Sequence, residues 1–462
     1  MKTQVLTKRS HMPAPADAVF RWHARPGAFE RLGPPWESVE IVERTGGIED
    51  EARVVLRMRM GPVWQRWVAE HRDYVEGRQF RDVQIAGPFV QWDHTHRMQP
   101  DEAIETGGCQ LEDRIAYALP LGPLGRLFGG AYTRKKLERV FRYRHATTQY
   151  DLATHNMYTG GVPMNVAVTG ASGLVGSALV PFLTTGGHRV VRVVRSAPTQ
   201  GEDAVQWAPQ AGQLDPASLE GLDAVVHLAG ENIAAGRWTA EQKARIRDSR
   251  VKSTSLLCET LAKLAQPPKV LVCASAIGLY GNRGEETLDE ESAAGSGFLA
   301  EVCEAWEAAT QPASQAGIRT AVLRLGVVLS PAGGALAKML LPFKMGVGGV
   351  VGSGSQYWSW IGVDDVVGAV HHALITDGLE GAVNVVAPQP ATNKEFTKIL
   401  GRVLGRPTLL PLPGFAARLA LGEMADDLLL ASTRVEPKKL VETGYTFRQP
   451  ELEEALRHLL GK

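Results

Sequence analysis

Val166-Ala167-Val168-Thr169-Gly170-Ala171-Ser172-Gly173-Leu174-Val175-Gly176-Ser177-Ala178-Leu179-Val180 reads as strand, turn, helix, and it decides the fold of the larger part of the chain. A short apolar run closes on Gly170, two further glycines follow at Gly173 and Gly176, and an amphipathic stretch begins behind them. Each glycine has its own task. Gly170 permits the tight turn, Gly173 lets the backbone approach a pyrophosphate, and Gly176 lets the helix pack close to the strand. The helix N-terminus presents amide donors and a favourable dipole to an anion. With Ser172, Leu174 and Val175, these glycines form a candidate dinucleotide-binding turn, and a turn with no ligand is the competing reading.

Working outward, apolar strands recur between amphipathic stretches at Asn165 to Thr169, His188 to Val194, Ala224 to Leu228, Val270 to Ser275 and Thr320 to Leu325. Strands alternating with helices imply a parallel, doubly wound sheet of the α/β class. The second strand ends in Arg195-Ser196, where such folds place their ribose selector, and no Asp or Glu stands there. A carboxylate would bond the 2′-hydroxyl of NAD, whereas Arg195 with Ser196 complements the 2′-phosphate of NADP. The plain alternative is a solvated charge at a strand end. Leu228-Ala229-Gly230, after the third strand region, is expected along the same nucleotide.

The whole chain has 462 residues, enough for two or three domains. Lys plus Arg and Asp plus Glu are 50 each, so no global field favours nucleic acid or an anionic membrane, and a small molecule is the expected partner. Four cysteines without CxxC or metal spacing, no apolar signal core and no unbroken apolar span lead us to expect a cytoplasmic protein with no membrane span. The best boundary is Thr159-Gly160-Gly161-Val162-Pro163-Met164. Upstream, the pattern is strand, helices, strands, helix: helices at Pro15 to Trp22 and Pro26 to Leu32, half-buried strands from Ala52 to Leu119, and a basic closing helix from Arg134. One antiparallel sheet can curl around that helix. After Ala387 a Pro-rich stretch and further helical runs suggest a smaller cap.

With Val225-Val226-His227-Leu228-Ala229-Gly230 and Ala274-Ser275-Ala276-Ile277-Gly278-Leu279-Tyr280-Gly281, the chain from Met164 onward resembles extended short-chain dehydrogenases, and more narrowly their sugar-nucleotide-epimerase-like branch. Gly230-Glu231-Asn232-Ile233-Ala234, Tyr357-Trp358-Ser359-Trp360-Ile361 with Asp364-Asp365, and Gly422-Glu423-Met424-Ala425 support that resemblance. It implies an NAD(P)-binding Rossmann domain over 164–388 and a cap over 389–462. It also implies a Ser or Thr holding the substrate oxygen, then a Tyr with a Lys four positions on. Ser275 matches the first, but the helix beginning Gly297-Phe298-Leu299-Ala300-Glu301-Val302-Cys303 has neither Tyr nor Lys, and Arg250 stands at the family's Asn position. Either Tyr280 or a water held by Glu301 moves the proton, or the site binds nucleotide without fast chemistry.

Residues 1–158 resemble the helix-grip fold of the START and polyketide-cyclase superfamily, an α+β domain whose cavity takes an apolar small molecule. The cues are Pro13 to Trp22, Phe29 with Pro34-Pro35-Trp36, and the closing helix. His94 and His96 share one face of a strand and would need a third ligand to hold a metal, so a surface position is expected and no metal is assigned. Asp364 and Asp365 are expected to cap the next helix, and Trp358 and Trp360 to be core. The expected function is NADP-dependent hydride transfer to or from a carbonyl or alcohol carbon, nucleotide sugars being among the candidate substrates. The alternative is an NADP-responsive small-molecule binding protein.

Overall fold

The computed structural model describes residues 3–101, 107–157, 163–199 and 201–462, so the boundary expected at Thr159-Gly160-Gly161-Val162 lies outside the described residues. The chain divides into two compact units, one formed by Met1–Gly161 with Pro181–Gly187 and Gly461, the other by Val162–Val180, His188–Leu460 and Lys462.

The first unit is one antiparallel sheet and three helices. Its strands are β1 (Gln4–Met12), β2 (Val39–Thr45), β3 (Arg53–Met60), β4 (Val63–Val75), β5 (Gln79–Ala86), β6 (Gln91–Pro100) and β7 (Cys109–Ala118), in the order β1-β7-β6-β5-β4-β3-β2. Helices α1 (Ala16–Ala24) and α2 (Ala28–Leu32) lie between β1 and β2, and α3 (Gly122–Asn156) follows β7. α3 starts before the expected Arg134 because Pro123 suits the first helical turn, its missing N–H being unpaired there in any case. Leu137, Phe141, His145, Thr148 and Leu152 are buried along it at helical spacing and turn one face of α3 to the sheet. Period-two alternation puts Trp92, His94, His96 and Met98 of β6 on the inner face. A cavity of about 600 Å³ remains between sheet and helix, lined by aromatic and aliphatic side chains such as Phe29, Leu56, Trp67, Phe80, Phe89 and Val140.

The surface position expected of the two histidines is corrected: His94 is 2% and His96 6% exposed. β6 is an interior strand between β5 and β7, so its inward residues face the cavity and not water. The basic run on α3 is partly neutralised within the unit, Lys136 pairing with Glu37 at 2.7 Å and Arg134 with Glu138 at 3.0 Å.

The second unit is built on seven parallel strands: β8 (Asn165–Thr169), β9 (Arg189–Val194), β10 (Ala204–Ala208), then β12 (Ala224–His227), β13 (Val270–Ala276), β14 (Arg319–Leu325) and β15 (Gly381–Val385). The short β11 (Gln213–Leu214) adds antiparallel to β10, and the order across the sheet is β11-β10-β9-β8-β12-β13-β14-β15. The direction of winding reverses between β8 and β12, which opens a crevice at their carboxyl ends. Helices α4 (Gly176–Thr185), α5 (Ala240–Leu261) and α6 (Phe298–Ala308) connect the strands that frame it.

The cap draws on residues well before Ala387. Leu329, Leu336, Phe343, Trp358 and Trp360 share a core with Phe396, Leu400, Leu452 and Leu456. The chain therefore leaves the sheet after β14, builds half of the cap, returns as β15 and completes it. Trp358 and Trp360 are core as expected. Asp364 and Asp365, expected as helix caps, sit inside the first turn of Val363–Ile375, behind Gly362 at the N-cap. Asp365 accepts from the amides of Arg448 at 2.6 Å and Gln449 at 3.0 Å, and Asp364 from His458 Nε2 at 3.0 Å, so both tie the C-terminal segment. Among the described residues no helix is long and apolar enough to cross a membrane.

The helix-strand approach at Gly176 has no room for a side chain: a Cβ there would press on Gly170 O and lie 2.7 Å from Ala171 Cα, whereas one at Gly236 would meet nothing within 4 Å. Gly176→Ala is expected to lower stability by about 1 to 3 kcal/mol through overpacking against backbone, and Gly236→Ala to leave it unchanged, as read from urea unfolding of the two variants.

Candidate functional site

The crevice is floored by the turn after β8. Gly170 takes φ +67°, a left-handed conformation, and a Cβ there would stand 2.8 Å from the Leu228 carbonyl carbon and 2.9 Å from Ala229 N. Two backbone segments from different strands thus meet at a residue without a side chain. Gly173 N donates to Gly170 O at 2.9 Å and Ser177 N to Gly173 O at 2.9 Å, closing the turn into α4. Ser172 and Gly173 are exposed, Leu174 and Val175 half-buried and Gly176 buried, so the outer lip of the turn is open to a ligand. Leu228 and Ala229, half-buried, and Gly230, exposed, run beside it.

Beneath the floor is a chain of buried polar groups. Thr169 Oγ1 accepts from the amides of Leu228 at 3.1 Å and Ala229 at 3.3 Å and lies 2.7 Å from His227 Nδ1. His227 Nε2 is 3.0 Å from Thr254 Oγ1, which also accepts from Trp306 Nε1 at 2.9 Å. The chain stitches β8, β12, α5 and α6. Burial without a carboxylate partner pushes His227 down from 6.5 to about 4, so it is a neutral linker.

At the rim, the three arginines of β9 and its end differ. Arg189 pairs with Asp203 at 2.6 Å and Arg192 with Glu202 at 3.2 Å. Arg195, exposed at the carboxyl end of the strand with Ser196 beside it, has no carboxylate partner among the described residues. Arg250 is a second cation facing the nucleotide path: its guanidinium carbon would lie 3.2 Å from a Cβ on Gly230, and it stacks 5.1 Å from the Trp306 ring centre. It donates to Ile246 O at 3.1 Å. The cofactor reading from sequence missed Arg250, although its place opposite the Gly230 turn explains why a cation replaces the family's Asn there.

The expected catalytic pair falls in a different setting. Ser275, Arg324 and Asn384 are register partners across β13, β14 and β15. Ser275 Oγ donates to Glu307 Oε1 at 2.7 Å, and Arg324 grips the same carboxylate with both ends of its fork, Nε and Nη2 each at 2.9 Å. Arg324 Nη1 donates to Tyr280 OH at 2.8 Å, and that hydroxyl contacts Asn384 Oδ1 and Asp289 O, each at 2.8 Å. Burial raises the Tyr280 pKa against the pull of Arg324. Tyr280 is 0% exposed. The proton-donor role expected of it gives way to a structural one, because every hydrogen-bonding position of the hydroxyl is taken inside the protein. Arg324 is thereby paired with Glu307.

The face of α6 toward the strands carries Leu299, whose Cβ would be 3.2 Å from a Cβ on Gly278, and Cys303, with Sγ at 3.9 Å from the same point. These two positions, one helical turn apart, hold no acid and no base; burial pushes the Cys303 thiol up to about 11. Glu301, expected to hold a water, is exposed. The network Ser275-Glu307-Arg324-Tyr280-Asn384 was invisible in the sequence because its members come from β13, the turn after it, α6, β14 and β15, and only the strand register brings Ser275, Arg324 and Asn384 into one row.

Residues 166–386 match the NAD dependent epimerase/dehydratase family, residues 12–141 a polyketide cyclase/dehydrase and lipid transport family, and residues 412–459 a domain of unknown function. An epimerase family protein of Mycobacterium bovis is 46% identical over 291 residues, covering 63% of this chain and 96% of its own. Human epimerase family protein SDR39U1 is 37% identical over 301 residues, covering 64% and 100%. Among solved structures, a nucleoside-diphosphate sugar epimerase from Corynebacterium glutamicum is similar with TM-score 0.81 at 34% identity, covering 99% of this chain and 90% of that one. The structure of human SDR39U1 isoform 2 with NADPH gives TM-score 0.60 at 36% identity, covering 64% and 99%.

Between pH 6.5 and 4 the unfolded chain binds a proton that folded His227 refuses, so stability is complete above that window and falls as pH falls through it. His371, pushed down to about 3 by burial, acts in the same direction. Replacing His227→Gln is therefore expected to reduce, without abolishing, the difference in unfolding free energy between pH 7 and pH 5, measured by urea titration at each pH.

Proposed function

Because the chain belongs to the NAD dependent epimerase/dehydratase family, with a polyketide cyclase-type unit ahead of the nucleotide-binding one, we propose that it binds NADP(H) and exchanges a hydride with a carbonyl or alcohol carbon of a small molecule. The observation that carries the cofactor choice is Arg195, an exposed cation without a carboxylate partner among the described residues, at the strand end that selects between ribose hydroxyl and ribose phosphate. The relative solved with NADPH supports the same choice. The bound nucleotide supplies the hydride.

The chain's own residues bind and orient. Amides of the Gly170 to Gly176 turn and the start of α4 hold the pyrophosphate, Arg195 and Ser196 the 2′-phosphate, and Leu228 to Gly230 the path between, with Arg250 adding positive charge beside Gly230. Ser275 donates to Glu307, so toward a substrate it offers lone pairs until its hydroxyl turns. With Leu299 and Cys303 on the inward face of α6 and Tyr280 tied, the proton comes from solvent. The missing acid costs typically about a hundred to ten thousandfold in rate, which makes this a slow reductase and not an inert fold. An epimerase by resemblance keeps a recycled NAD, so a site selecting NADP supports net reduction. The first unit, with its apolar cavity, is read as the binder of an apolar small molecule. The four cysteines, all free and buried, support a reducing cytoplasm.

The tie on Tyr280 favours a second reading, in which bound NADP biases ligand capture and hydride transfer is absent. Single-turnover oxidation of bound NADPH by a panel of carbonyl compounds and nucleotide sugars separates the two: a burst with any of them supports the enzyme, and tight binding with no transfer to any supports the binder. For the cofactor itself, NADPH is expected to bind more tightly than NADH. Arg195→Ala should weaken NADPH about 10- to 100-fold and leave NADH unchanged, the loss expected for one charge-assisted contact. Equal affinities in the unmutated protein would overturn the assignment.

A further inference from the structure

We propose that the cavity of the first unit holds one divalent first-row transition-metal ion, of the zinc and ferrous class, on Asp82, His94 and His96. Asp82 of β5 and His94 of β6 are direct register partners, and His96 pairs in register with Asp113 of β7, so four side chains of three adjacent strands share the inner face. One ligand atom from each of Asp82, His94 and His96 lies within 4.8 Å of the other two. His94 Nδ1 is 2.9 Å and His96 Nε2 3.6 Å from Asp82 Oδ2. Ligands about 2.1 Å from a zinc or ferrous ion stand roughly 3 to 3.5 Å from one another, so the three groups need to move little to receive one.

The surroundings are those of a metal site and not of a chance cluster. His94 Nε2 is 3.0 Å from Asp113 Oδ1, and His96 Nδ1 is 2.6 Å from the same oxygen, close but off the line of an ideal hydrogen bond. Asp113 in turn holds His145 Nε2 at 2.7 Å, and Asp82 Oδ1 accepts from Trp92 Nε1 at 3.2 Å. A carboxylate behind each ligating imidazole fixes which nitrogen carries the proton and orients the ring. Protons held toward Asp113 leave two imidazole lone pairs and the Asp82 carboxylate converging on one point, where a divalent cation would complete the set. Two carboxylates, Asp82 and Asp113, balance a divalent charge.

Asp82, His94 and His96 all line the cavity, whereas Asp113 stands behind them. Three protein ligands and an open side is the pattern of an ion that keeps positions for a ligand. The cavity would therefore take a molecule with an oxygen or nitrogen donor at the metal end and an apolar body among Phe29, Trp67 and Phe89. Arg144, also in the lining, gives an anionic head group a second contact.

The test uses the untagged full-length chain, stripped with chelator and titrated with Co2+, whose visible bands report coordination by nitrogen and oxygen, then displaced with Zn2+ or, without oxygen, Fe2+. One equivalent is expected, displaced by Zn2+ at equal stoichiometry. Asp82→Asn and His96→Gln should each lower affinity at least about a hundredfold, and Asp113→Asn about 10- to 100-fold with the stoichiometry kept. Near-ultraviolet circular dichroism and a cooperative urea transition certify each variant as folded, and Asp82→Asn, an isosteric change, stands in should His96→Gln not fold. The proposal is overturned if the folded wild-type chain binds no ion, a proton on the cluster then sufficing, or if binding survives Asp82→Asn and His96→Gln unchanged. Its outcome is independent of the nucleotide reading of the second unit.

Discussion

The second unit depends on one close approach. At Gly170 and Gly176 three backbone segments, the end of β8, the start of α4 and the turn after β12, come together at distances that exclude a Cβ. Thr169 and His227 fill the space directly below with hydrogen bonds, so the approach is held from inside as well as permitted from outside. This geometry sets the exposed lip of the turn at the positive end of a helix.

Farther along the same sheet edge the protein uses its polar groups differently. Ser275, Arg324 and Asn384 share a register row and, with Glu307 and Tyr280, form a connected buried network. Buried polar groups are costly unless every member is paired, and a fully paired set gives rigidity. The hydroxyls of Ser275 and Tyr280 are thus spent on holding strands and α6 in place.

Much of this was legible. The glycine spacing and the apolar run before it identified the parallel sheet and the turn after β8, because both depend on local backbone geometry. The exposed place of Arg195 was legible because the apolar run of β9 stops just before it. Tyr280 misled because a Tyr-Gly pair says nothing of what surrounds the hydroxyl; Arg324 and Asn384 lie far from it in sequence and reach it only through strand register. His94 and His96 misled for the opposite reason. Alternation correctly put them on one face, but which face was inward depended on β5 and β7 flanking β6. The core that Trp358 and Trp360 share with Phe396 and Leu456 draws on both sides of β15, and no local signal marks such a departure and return.

The order β1-β7-β6-β5-β4-β3-β2 in the first unit has a consequence in time. From β2 to β7 each strand pairs with its neighbour in sequence, and such ladders form by short, fast loop closures. β1 alone pairs with the last strand, Gln4 opposite Tyr117, so it must wait through the synthesis of nearly the whole unit before its partner exists. From its synthesis until β1 joins it, β7 is an open edge, and the earliest made of the seven strands is the last to find its place.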